Sequence, residues 1–214
     1  MQTFLFLLEL AGTVAFAVSG AVLGIEKHMD IFGVGLLGIT TAVGGGILRD
    51  LVVGLTPPRA FQDPMYLLVA LGVSVVLFFP FVRRLIGRSK RVFDALMLLM
   101  DATGLGIFTI TGINTAITLA DCTDPLLLVF VGLLTGTGGG VLRDVLAGDM
   151  PYILRKHIYA SASIAGGILY LLLRPVWQGP ACSSWSASAA PRRTLSGICR
   201  AQKPCGKATN DVIH

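Results

Sequence analysis

Residues 41–57 read TAVGGGILRDLVVGLTP, and residues 135–151 read TGTGGGVLRDVLAGDMP. At an offset of 94, Gly44, Gly45, Gly46, Leu48, Arg49, Asp50, Gly54 and Pro57 meet Gly138, Gly139, Gly140, Leu142, Arg143, Asp144, Gly148 and Pro151. Such self-similarity means that one structural unit is present twice. Upstream the offset is 92, where Glu9, Gly12, Phe16, Ser19 and Gly20 fall on Asp101, Gly104, Phe108, Thr111 and Gly112. Two extra residues in the first loop of the second copy account for the change.

The chain around these motifs is apolar. Hydrophobic residues make up 54% of it and charged residues 14%, too little polar surface to cover a soluble core. The apolar residues fall into six runs, at 3–25, 31–55, 65–82, 92–113, 125–148 and 158–173. Most reach the ~20 residues that cross ~30 Å of hydrocarbon as a helix. Two are shorter and call for a thin bilayer or snorkelling flanks. The expected fold is therefore all-α and transmembrane, with six helices in a lipid bilayer. The first run carries Glu9, lacks a basic leader and is too long for a signal-peptide core, so it reads as a retained span.

Lys and Arg sort by loop. Lys27, then Arg83, Arg84, Arg88, Lys90 and Arg91, then Arg155 and Lys156 occupy the odd-numbered loops, against Arg59 alone in the even ones. The positive-inside rule puts the odd loops, including 83–91, in the cytoplasm and the N-terminus outside. The net charge of +5 thus reflects membrane orientation, and no nucleic-acid partner is expected. Each copy has an odd number of spans, so the second enters from the opposite side, giving two inverted three-helix repeats. The expected organisation is 1–82 for the first repeat, 83–91 for a basic cytoplasmic linker, 92–174 for the second repeat and 175–214 for a basic tail.

Three glycines in a row cost a helix about 1 kcal/mol each relative to Ala. They suit either close helix packing or a broken or kinked helix lining a pore, and their recurrence beside buried charge favours the pore. Arg49, Asp50, Arg143 and Asp144 are the strongest functional signal, because a charge in hydrocarbon costs at least ~2.5 kcal/mol and needs a partner or water. Adjacent helical residues do not face each other. The expected pairs are therefore Arg49 with Asp144 and Arg143 with Asp50, as staple, gate or both. Glu9 and Asp101 are further pore or helix-contact candidates. Ser19 and Thr111 are candidates of the same kind, though each more readily hydrogen-bonds its own helix backbone. No nucleophile–base set points to an enzyme, the cysteines and histidines show no metal spacing, and no cofactor is expected beyond a permeant K⁺ or Na⁺.

The two GGGxxRD motifs, with AFAVSGAVLG (15–24), MDATGLGIFTITG (100–112) and VLRDVLAGDMPYILRKHIYASASIAGG (141–167), resemble the prokaryotic type of trimeric intracellular cation (TRIC) channel. The resemblance covers about residues 5–174. It implies a homotrimer with one pore per subunit for monovalent cations, mainly K⁺, in a prokaryotic plasma (inner) membrane. It further implies that the glycine-kinked second and fifth spans line the pore, with Arg49, Asp50, Arg143 and Asp144 in or beside it. The family's seventh helix is replaced here by residues 175–214, whose Ser/Ala/Pro/Arg/Cys bias suits a shifted reading frame or a disordered extension. The alternative is a secondary transporter of a small zwitterion such as an amino acid, since inverted repeats with interrupted helices also serve alternating access.

Overall fold

The structure, a computed structural model, describes residues 2–79, 90–119, 124–155 and 157–178. Every element among them is helical: α1 (Gln2–Glu26), α2 (Ile31–Val53), α3 (Arg59–Gln62), α4 (Pro64–Phe78), α5 (Lys90–Leu119), α6 (Pro125–Leu146), α7 (Tyr152–Arg155) and α8 (His157–Gln178). Four stretches, in α1, α2, α5 and α6, are long and apolar enough to cross a membrane, and Pro64–Phe78 and Ser163–Leu173 are shorter apolar helices. This matches the expected division into long and short runs. The fourth run extends to Leu119 and begins at Lys90, inside the expected linker. The rest of that linker, Arg83, Arg84 and Arg88 included, lies outside the described residues. So does the tail beyond Gln178, and with it the expectation about a seventh helix.

The helices begin where sequence chemistry says they should. Asp30, Asp63 and Asp124 cap α2, α4 and α6, each accepting a hydrogen bond from a backbone N–H of the first turn, which satisfies a donor left free at a helix start. Pro64 and Pro125 stand at the first helical position, where the missing N–H costs nothing. At the other ends, the matched Gly54 and Gly148 adopt left-handed φ values of 81° and 74°. A side chain is strained there.

Packing repeats between the copies. On α1 and α5, Gly12 meets Ile107 and Phe108 while Gly104 meets Phe16. Ser19 meets Asp101, so the two helices run antiparallel. Gly20 abuts Thr41 and Leu37 of α2, and its counterpart Gly112 abuts Thr135 of α6. Small residues at these points let the helices approach closely, as dispersion packing in a bilayer requires. Thr41 and Thr135 are buried and return their hydroxyls to Leu37 O and Val131 O, so they carry no unsatisfied donor into the interface.

One expectation is corrected here. Of the two forms expected, broken or kinked, it is the break that is set aside: both α2 and α6 stay α-helical through the triple glycine. Glycine lowers helix propensity but keeps its backbone N–H, so the i→i−4 ladder survives where neighbours hold the backbone in place.

Candidate functional site

Helices α2 and α6 cross at the two triplets, and the three glycines of each do different things. A Cβ on Gly44 would strike Leu142, and one on Gly138 would press on Leu48 at 3.1 Å. The middle glycines leave no room at all: Gly45 lies against the backbone carbonyl of Thr135, and Gly139 against that of Thr41. For this pair the packing reading prevails. The third glycines are free of neighbouring helices, with only the Nη2 of Arg49 within 4 Å of Gly46 and that of Arg143 near Gly140. Each lines a cavity beneath its own arginine.

The two cavities are images of one another. One, about 440 Å³, is bounded by Glu9, Gly46, Arg49, Asp50, Arg59 and Phe108. The other, about 310 Å³, is bounded by Asp101, Gly140, Arg143, Asp144, Ile153 and Phe16. Every residue named for the first has its repeat-mate in the second, and Phe108 and Phe16 exchange sides. A wider space of about 1200 Å³, reaching Leu23, Phe93 and Asp149, adjoins the second cavity at Asp101, Arg143 and Asp144.

The four motif charges are buried, from Arg143 at 1% exposure to Arg49 at 6%, but they do not pair across the repeats. The Nε of Arg49 donates to Asp50 Oδ1 at 2.8 Å, and that of Arg143 donates to Asp144 Oδ1 at 2.8 Å. The expected Arg49–Asp144 and Arg143–Asp50 pairs are thus replaced by pairs within each motif. The rule that adjacent residues diverge describes Cβ directions, whereas a guanidinium on its long stem folds back far enough to reach the next carboxylate. Antiparallel α2 and α6 also carry the two arginines away from each other, one toward each end of the crossing.

Beyond the motif the two halves differ. Arg143 Nη1 donates to Asp101 Oδ1 at 2.5 Å and also to Ser19 Oγ, and Ser19 donates to Asp101 Oδ1 at 2.8 Å. Arg143 therefore joins α1, α5 and α6 in one charge-assisted cluster. Ser19 serves this cluster and not its own backbone. In the other half Asp50 Oδ2 accepts from the backbone N–H of Arg59 at 2.8 Å. Glu9 accepts from the Tyr66 hydroxyl at 2.8 Å and lies 3.8 Å from the Arg59 guanidinium. Thr111, the mate of Ser19, has a buried hydroxyl with no hydrogen-bond partner among the described residues, against the expected bond to its own helix.

Arg59, Tyr66, Phe16 and Phe108 are site residues that sequence reasoning did not select. The two phenylalanines were visible as repeat-mates without a role. Tyr66 carried no signal, because only the fold brings α4 against Glu9.

Known proteins place these features in context. A family model described as Glycine transporter matches residues 6–81 and 98–175. A UPF0126 membrane protein of Deinococcus radiodurans is 42% identical over 170 residues, covering 78% of this chain and 75% of that protein. The UPF0126 inner membrane protein YadS of Escherichia coli is 40% identical over 163 residues, covering 76% and 75%. Among solved structures, the TRIC trimeric intracellular cation channel orthologue from Rhodobacter sphaeroides aligns with a TM-score of 0.72 at 37% identity, covering 86% of this chain and 91% of that one. A prokaryotic TRIC channel solved in 0.5 M KCl aligns with a TM-score of 0.73 at 34% identity, covering 81% and 86%.

Proposed function

Because this chain belongs to the TRIC family of integral membrane proteins, we propose that it is a cation channel, with K⁺ the main permeant ion, whose path runs through the two repeat-related cavities. The observation that carries this reading is the pair of cavities, each holding two carboxylates and a neutralised arginine, on either side of the α2–α6 crossing. Arginine alone would repel a cation. Pairing with Asp50 or Asp144 removes that barrier and leaves carboxylate oxygens that can replace part of an ion's hydration shell. Gly44, Gly45, Gly46, Gly138, Gly139 and Gly140 permit the crossing and open its flanks. Gating falls to Arg49 and Arg143, since moving one charge through 100 mV is worth about 2.3 kcal/mol.

The protein acts as a homotrimer with a pore in each subunit, in a prokaryotic plasma membrane, with the N-terminus outside and the Arg143 end toward the cytoplasm. Reconstitution in planar bilayers tests this: unitary current steps in KCl are expected, and saturable exchange without unitary steps would overturn it. Cross-linking in membranes should stop at three subunits.

A second reading is favoured by the family model's description as a glycine transporter. The cavity holding Arg49, Asp50 and Glu9 offers a guanidinium for a carboxylate and carboxylates for an amine. Counterflow of labelled glycine into proteoliposomes would establish a carrier.

A further inference from the structure

The asymmetry between the halves carries one more step. Arg143 is bound by Asp101 and Ser19, and the positions matched to these in the other repeat, on the side of Arg49, are Glu9 and Thr111. The antiparallel register of α1 on α5, in which Gly12 meets Phe108 and Ser19 meets Asp101, brings Thr111 level with Glu9. One set is filled, with Arg143 bound to both of its ligands. The other is unfilled: among the described residues Arg49 bonds only its neighbour Asp50, Glu9 is held by Tyr66 and Arg59, and Thr111 Oγ1 is buried without a partner. A buried hydroxyl left unbonded is costly, and few native groups persist so without a reason.

We propose that Thr111 and Glu9 form a second docking site for Arg49, occupied in an alternative state in which Arg143 leaves Asp101 and Ser19. The protein then has two arginine latches that close in turn. With Arg143 docked, the cluster stands where the smaller cavity meets the wide space beyond it, and the cavity at Arg49 is the larger, about 440 against about 310 Å³. With Arg49 docked, these relations reverse. Arg59 biases the balance by holding Glu9. Its counterpart in the other cavity is the uncharged Ile153, so among the described residues nothing equivalent draws on Asp101.

This inference does not rest on the transported solute, and its test reads conformation directly. Gly46→Cys and Gly140→Cys each place a thiol in one cavity, where the structure leaves space for it, in a chain whose native cysteines are serine. The reaction rates with a charged maleimide are measured in detergent and expressed as the ratio of position 140 to position 46. Ser19→Ala weakens the occupied latch and should raise that ratio about fivefold, the population change that one lost hydrogen bond produces. Adding Thr111→Val should return the ratio to its starting value, whereas adding Thr111→Ser, which keeps the hydroxyl, should not. A double variant no different from Ser19→Ala, or a Ser19→Ala ratio equal to the parent's, would overturn the proposal. Should Ser19→Ala fail to fold, Asp101→Asn weakens the same latch and faces the same criteria. A protein that conducts no cation would still pass or fail.

Discussion

Phe16 and Phe108 pack ring against ring, with centroids 5.1 Å apart and planes tilted by 44°, and each lines a different cavity. They are repeat-mates, so the contact lies across the pseudo-symmetry between the copies. Around them cluster Ala17, Ala42, Val43 and Ala70, an apolar group beside the two cavities that hold the arginines.

If this apolar group resists ions, thinning it should leak. Phe108→Ala is expected to raise K⁺ flux from loaded liposomes, and Phe16→Ala to do the same, with the double variant giving less than the product of the two. Core Phe→Ala changes cost about 3–5 kcal/mol, so each variant should also melt earlier than the parent. Unchanged or lower flux in both folded variants would remove the phenylalanines from the path.

The glycine triplets should split by position. Gly45→Ala and Gly139→Ala put a methyl group into a backbone carbonyl, Thr135 and Thr41 respectively, and should prevent recovery of folded protein from the membrane. Gly46→Ala and Gly140→Ala meet only an arginine tip at 3.8 and 3.9 Å and should fold normally with reduced flux. Size-exclusion profiles and flux assays distinguish the two classes.

The arginine partners are open to double-mutant cycles. Arg143 with Asp101 should show coupling, because removing either leaves a buried charge at a cost of about 3–5 kcal/mol, while removing both relieves it. Arg49 with Asp144 should be additive within about 0.5 kcal/mol, as for residues without shared contacts. Coupling in the second cycle and not the first would restore pairing across the repeats.

Topology is testable through a surface bridge. Lys27 Nζ lies 2.6 Å from Asp149 Oδ1, which places the ends of α1 and α6 at one face. A thiol at either position should react with an impermeant reagent from the cytoplasmic side only, and one at Asp63 from outside only. Reaction of both from a single side would refute the inverted arrangement.

Much of this molecule was legible in its letters. Apolar runs of two lengths announced the helices, whereas the caps Asp30, Asp63 and Asp124 that start three of them were not singled out in the sequence. The half-buried Glu9 and the buried Asp101, Arg49, Asp50, Arg143 and Asp144 all line the cavities. Their partners were not legible, because helical spacing reports where a side chain leaves the backbone and not how far a guanidinium reaches. The triplet reads as three equal residues, yet helix rotation at the crossing assigns Gly44 to a leucine, Gly45 to a carbonyl and Gly46 to open space. Thr111 looks the equal of Ser19 until Glu9 is seen engaged elsewhere.

The contact of Gly45 with Thr135 and of Gly139 with Thr41 has a mechanical consequence. At these two points backbone meets backbone directly, while Leu142, Leu48 and Phe16 pack beside them. Backbone contact of this kind fixes how far apart the two helices stand and would make the crossing a pivot if they tilt. Tilting α2 against α6 parts the helices at one end and brings them together at the other. In the two-latch scheme proposed above, widening one mouth would then narrow its opposite.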